Sequence, residues 1–213
     1  MVPLLTTSYL PPVEYFAFLT QEEAWLEHCE HYRKQTFRNR CVILTSNGPE
    51  ALTVPIVHSR NHEPIAETRI DYAMPWQRTH WRAIVSAYGC SPYFLYYQDL
   101  LRPFYEQRHE RLFDFNLQLT RTLLRMLQLP AQLHLTEDFT PLAANDLRTL
   151  IQPHGQSAPD YVFRLTEPYY QVFEHKFGFV PNLSIIDLIF NTGPAAVSYL
   201  RNLRQHFSTS IIS

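Results

Sequence analysis

The chain has 213 residues, a net charge of -2, 46% hydrophobic residues, sixteen prolines and only five glycines, where average usage would give about fifteen. The scattered glycines allow neither G-x-G-x-x-G nor G-x-x-x-x-G-K-[ST], which excludes the two common glycine-loop routes to nucleotide phosphates. The charge argues against a nucleic-acid-binding domain, and no run approaches the roughly eighteen apolar residues of a membrane span.

In chain order, a short apolar strand is expected from about Pro3 to Tyr9, stopped by Pro11-Pro12. A helix follows, in which Val13, Phe16 and Leu19 recur at helical spacing. Ala24 to Cys29 reads as a second strand. Residues Cys41 to Leu44 and Ala51 to Val54 flank Asn47-Gly48, a hairpin-turn pair suited to positive φ. Ile65 to Ile70 is expected to add a strand. From Pro75 the pattern turns helical, with Trp81, Ile84, Val85 and Tyr88 as the apolar stripe. Further helices are expected over Tyr93 to Arg108 and Phe115 to Gln128, a strand over Gln132 to Thr136, and a short helix over Leu142 to Ile151. Gln152 to Pro159 reads as a surface loop. Ser184 and Asp187 have the spacing of a capping box, Gly193 sits at a helix end, and Pro194 is placed to open the last helix. The order implies an α/β fold: a mixed, partly parallel sheet including a hairpin, flanked by helices, with a mostly helical C-terminal half. A single domain over residues 1–213 is expected.

Three stretches hold candidate chemistry. His31 to Arg40 carries four cations and no acid. If a strand begins at Arg38, Arg38 and Arg40 share one face about 7 Å apart, a spacing suited to a diphosphate or carboxylate. The alternative is a solvated basic loop. In open α/β sheets the turn after the first strand is a common ligand site, which makes Tyr9 and Tyr15 candidate binding residues unless they are core aromatics. On the Pro75 helix, Trp76 and His80 lie four apart, beside the apolar stripe. His80 there is either a general base or a half-buried, hydrogen-bonded histidine. Glu27-His28-Cys29-Glu30-His31 contains metal-ligand types without a metal-site spacing. Three cysteines with no C-x-x-C give neither a disulfide framework nor a thiolate zinc site. No leader pattern opens the chain, so a cytoplasmic location is expected. No cofactor and no metal are expected, and the sequence leaves the oligomeric state open.

The chain resembles the WbqC-like proteins of bacterial surface-polysaccharide (O-antigen) clusters. The resemblance rests on Ser8-Tyr9-Leu10-Pro11 with Tyr15-Phe16 and on Lys34…Phe37-x-Asn39-Arg40 leading to Val54-Pro55-Ile56. It rests also on Trp76-x-x-x-His80 followed by Tyr88-x-x-x-Pro92-Tyr93-Phe94, and on Asn182 to Gly193. Leu10 and Ser8 depart from the family's usual residues in the first turn. The resemblance implies a place in polysaccharide assembly without fixing a reaction. Combined with the basic run, it leads to an expected small-molecule substrate, a nucleotide sugar. Arg38, Asn39, Arg40, Tyr9, Tyr15, Trp76 and Tyr93 are the candidate binding residues, with His80 and Lys34 as the catalytic candidates. The reaction expected is acyl or aminoacyl transfer to an amino-sugar nucleotide, and the alternative is a non-catalytic scaffold of the same pathway.

Overall fold

A computed structural model describes residues 2–57, 63–140, 146–149, 151 and 167–211, the last four without side chains. Strand β1 (Leu4–Thr6) leads through a buried turn to helix α1 (Val13–Phe18) and strand β2 (Glu23–Glu27). Strand β5 (Gln132–Leu135) returns much later. These three strands form a parallel sheet in the order β1-β2-β5, with Leu4, Trp25 and His134 in one row across it. A separate antiparallel hairpin joins β3 (Arg40–Thr45) to β4 (Gly48–Thr53). Its loop is Ser46-Asn47, one residue earlier than expected, and the positive φ falls on Gly48 alone.

Helices dominate the rest: α2 (Trp76–Tyr88), α3 (Phe94–Leu101), α4 (Pro103–Glu106), α5 (Leu112–Met126), α6 (Glu174–Phe177), α7 (Ile185–Thr192) and α8 (Ala196–Ile211). The mixed α/β architecture with its helical C-terminal half is therefore present. Helix α5 is amphipathic by spacing, and Leu112, Phe115, Leu119, Leu123 and Met126 place one stripe in the core. One contiguous apolar cluster runs from Leu5 to Phe207.

Several expectations change. The Ile65–Ile70 strand is instead a single turn of 3-10 helix, Ile65–Glu67, followed by isolated bridges. Ile65 N–H goes to the Glu30 carbonyl, whereas residues 68–70 make only single bridges, one to 110–112 (Ile70 N–H to Glu110, Leu112 N–H to the Thr68 carbonyl) and one to Ile56, so no ladder long enough for a strand forms. The helix expected over Tyr93–Arg108 is broken in two, because Pro103 has no N–H to continue the ladder. The buried face of α2 is Trp76, His80, Ile84, Ala87 and Tyr88, while Val85 is 39% exposed. Trp76 and His80 thus belong to the stripe rather than beside it, since α2 packs this face on β3 and α4. Of the helix expected at 142–151, residues 146–149 and 151 are described and are not helical, Asp146 instead bridging to Leu4 of β1, while the loop expected at 152–159 lies outside the described residues.

The capping box does not form at α7. Ser184 instead donates its hydroxyl to the Leu10 carbonyl at 2.9 Å, and the Asp187 carboxylate accepts from Tyr169 and Gln171. Gly193 ends α7 at φ +55, and a Cβ there would stand 2.6 Å from the Tyr93 ring. Glycine is required there on both counts. Pro194 lies in one 3-10 turn before α8 begins at Ala196. Among the described residues, no helix is long and apolar enough to cross a membrane.

Candidate functional site

Parallel strands point their carboxyl ends the same way, and the loops there are the usual place for a ligand. Just beyond β1 and β2 a cleft of about 280 Å³ opens, lined by Glu30, His31, Arg33, Arg38, Phe139, Asp146, Arg148 and Thr149. Its floor is charged and buried. Arg38 is 4% exposed and grips Glu30 through Nε at 3.0 Å and through Nη2, while the Thr6 hydroxyl donates to the same carboxylate. The Asn116 amide of α5 holds the Arg38 backbone carbonyl at 2.7 Å. Beside this pair, Arg148 donates to Asp146, to the Thr140 carbonyl and, at 2.8 Å, to the fully buried Glu27. Burial alone would raise Asp146, but hydrogen bonds from Arg148 outweigh it and hold the carboxyl below its usual range.

Counting donors separates the two arginines. A guanidinium offers five N–H groups. Among the described residues, Arg148 commits four to its partners, whereas Arg38 gives two to Glu30 and keeps three. Arg148 is thus a strut, its guanidinium also 5.1 Å from the centre of the Phe139 ring. Arg38 is instead oriented by its bonds to Glu30, with part of its guanidinium uncommitted among the described residues.

A second group of sequence candidates meets elsewhere. Tyr9 is fully buried, and its hydroxyl lies 2.9 Å from both His80 Nδ1 and the Tyr105 hydroxyl. The Trp76 ring centre is 5.1 Å from that of His80. Burial pushes His80 down to about 4, with the Thr53 carbonyl partly opposing it, so the imidazole is neutral at pH 7. A neutral ring that accepts at Nδ1 carries its proton on Nε2, facing Thr53. The structure therefore brings Tyr9, Trp76 and His80 together, in the core. Tyr15 is also buried and donates its hydroxyl to the Thr6 carbonyl at 2.8 Å. The opening turn of Ser8 to Pro12 is buried throughout.

The basic run divides. Strand β3 begins at Arg40, so Arg38 precedes it, and the two guanidinium groups take different partners. Arg40 points along the hairpin to the Thr53 hydroxyl at 3.3 Å. Asn39 is buried and donates to the Val54 carbonyl. Lys34 is exposed on the 33–36 loop. Tyr93 lies against Gly193, its N–H bonded to the Phe190 carbonyl. Of the nine candidates, Arg38 alone lines the cleft. Glu30, Asp146, Arg148 and Phe139 were not singled out as binding residues. The available signal was the pair of acids, Glu27 and Glu30, at the end of a strand whose inward residues, Ala24 and Leu26, are apolar. Among the described residues, no group of three or more His, Cys, Asp or Glu is placed to hold a metal ion.

A family model described as the WbqC-like protein family matches residues 7–162 and 153–199. The chain is also similar to a Mycobacterium tuberculosis (strain ATCC 25618 / H37Rv) protein described as "Uncharacterized protein Rv1507c". The two are 31% identical over 229 residues, which cover 96% of this chain and 99% of the relative. No solved structure matches.

Proposed function

The chain belongs to the WbqC-like protein family, and on that premise we propose that it is a transferase whose substrate is a nucleotide sugar seated by its phosphates in the charged cleft. One observation supports the reading: Arg38 is buried, fixed by Glu30, and among the described residues still keeps three N–H groups at a cleft beyond the carboxyl ends of β1 and β2. Arg33 adds an exposed guanidinium at the same cleft, and Lys34 next to it in sequence adds a further cation. Glu30 accepts three hydrogen bonds from Thr6 and Arg38, which leaves one of a carboxylate's roughly four acceptor positions for a ligand amine or hydroxyl. In this reading Glu30 accepts a hydrogen bond from the acceptor's amine or hydroxyl and orients it for acyl or aminoacyl transfer. His80 enters as a neutral brace of Tyr9. The pathway that the family resemblance implies is surface-polysaccharide assembly.

One observation favours a second reading, a scaffold that binds partners without chemistry. Helix α3 leaves Leu95, Tyr96 and Leu100 at 71%, 77% and 47% exposure. Thermal unfolding with UDP-N-acetylglucosamine, UDP and inorganic pyrophosphate separates the two. A site filled to a hundredfold over its Kd adds about 2.7 kcal/mol, or roughly 5–10 °C for a chain of this size. The transferase reading expects that shift with UDP-N-acetylglucosamine and UDP, and at least tenfold weaker binding in Arg33→Ala. Absence of any shift refutes the phosphate site and favours the scaffold.

A further inference from the structure

Parallel sheets are normally covered on both faces, yet among the described residues one face here carries a half-exposed tryptophan. Trp25, in register between Leu4 and His134, is 41% exposed. It borders a second cleft of about 450 Å³, lined also by Leu4, Leu135, Thr136, Glu137, Asp138 and Thr140. That volume lies in the range of small-molecule sites, roughly 300–1,000 Å³. Both charged groups on its lining are carboxylates, and among the described residues no lysine or arginine lines it, while the His134 ring lies against one side of the indole with ring centres 5.2 Å apart. The combination is selective. Two acids repel an anion, while an indole face and nearby carboxylates together attract a cation. The apolar floor of Leu4 and Leu135 suits the carbon skeleton that carries the charge.

The wall between this cleft and the charged one is built rather than incidental. Glu27, with no exposed surface, accepts from the Thr136 hydroxyl at 2.6 Å, the Thr140 N–H at 3.1 Å and Arg148 at 2.8 Å. Thr136 and Thr140 line the second cleft and Arg148 lines the first. One buried carboxylate therefore fixes both linings before any ligand arrives, which lowers the ordering cost of binding.

We propose that the Trp25 cleft is a binding site for a small molecule bearing a protonated amine on an apolar or ring skeleton. Its role as the site of a second substrate, beside the phosphate-bearing one, rests on the transferase reading above; the binding itself does not.

The full chain is titrated at pH 7 with cyclohexylamine, protonated at that pH, and with its neutral isostere cyclohexanol. Binding is followed by isothermal titration calorimetry in every variant and, where Trp25 is present, by its indole N–H resonance, assigned with Trp25→Phe. The expected result is saturable binding of the amine, at least fivefold tighter than cyclohexanol. It should weaken at least fivefold in Glu137→Gln/Asp138→Asn and be lost in Trp25→Ala. All three positions are at least 41% exposed or on the surface loop, so the variants should fold, and unchanged melting temperatures would confirm it. Equal binding of the two probes, no binding, or full binding in Trp25→Ala overturns the proposal. Failure of UDP-N-acetylglucosamine to bind would remove the transferase reading and leave this site standing.

Discussion

Glu14 occupies the first turn of α1 at 3% exposure, and its Oε1 has no hydrogen-bond partner among the described residues. Burial pushes its carboxyl from an ordinary 4.5 up to about 7, with the Asn182 side chain partly opposing. Below pH 4.5 the group is protonated in folded and unfolded chains alike and costs nothing. As the pH rises from 4.5 to 7, the unfolded chain ionises while the folded chain does not, so stability is lost through that window and levels off above it. At about 1.4 kcal/mol for each tenfold change in ionisation, the loss totals about 3 kcal/mol. Glu14→Gln removes the ionisation. Its amide adds a fixed cost for an unpaired donor, but that cost does not vary with pH. The stability of Glu14→Gln relative to wild type should therefore rise by about 3 kcal/mol between pH 4 and pH 8, measured by urea unfolding at each pH. Taking the difference cancels the other titrating groups, Asp187 among them. A difference that stays flat across this range refutes the reasoning.

Two other expectations concern the core. Gly193→Ala should cost at least 2 kcal/mol in urea unfolding, from the positive φ and the clash with Tyr93. A smaller loss in the Tyr93→Ala background would separate the clash from the backbone strain, and an unchanged midpoint in Gly193→Ala would contradict both. His80 should show no imidazole titration between pH 5.5 and 7.5 in nitrogen-detected NMR and should carry its proton on Nε2. Because its folded value is depressed, its contribution to stability is complete above pH 6.5 and is lost as the pH falls towards 4. A midpoint near 6.5 would show that the ring is solvated.

Periodicity and turn chemistry made the hairpin, α5 and the closing helices legible, because those signals are local. The face of α2 was misread because its buried row includes a histidine, which counts as polar until Tyr9 supplies its partner. Ser184 and Asp187 have a cap's spacing, but their side chains answer to Leu10, Tyr169 and Gln171, and no local pattern records those contacts. The same limit applies to the cleft. Arg38 stood out as part of a basic run, whereas the Arg148–Glu27 pair spans 121 positions. Its members are ordinary surface residue types until the fold buries them together.

The braces on the opening turn bear on how the chain is made. Leu10 sits at φ +40 and is held by Ser184, 174 residues later, while Val13 and Pro11 exchange backbone bonds with Leu183 and Ile185. At about 5–20 residues per second of synthesis, roughly 9–35 seconds separate the emergence of the turn from that of its clasp. During that interval the first strand and helix lack the segment that fixes their geometry, so the amino-terminal third cannot settle early as an independent unit. The nascent chain must wait for residues 183–185, and synthesis halted before Asn182 leaves the opening turn unsecured.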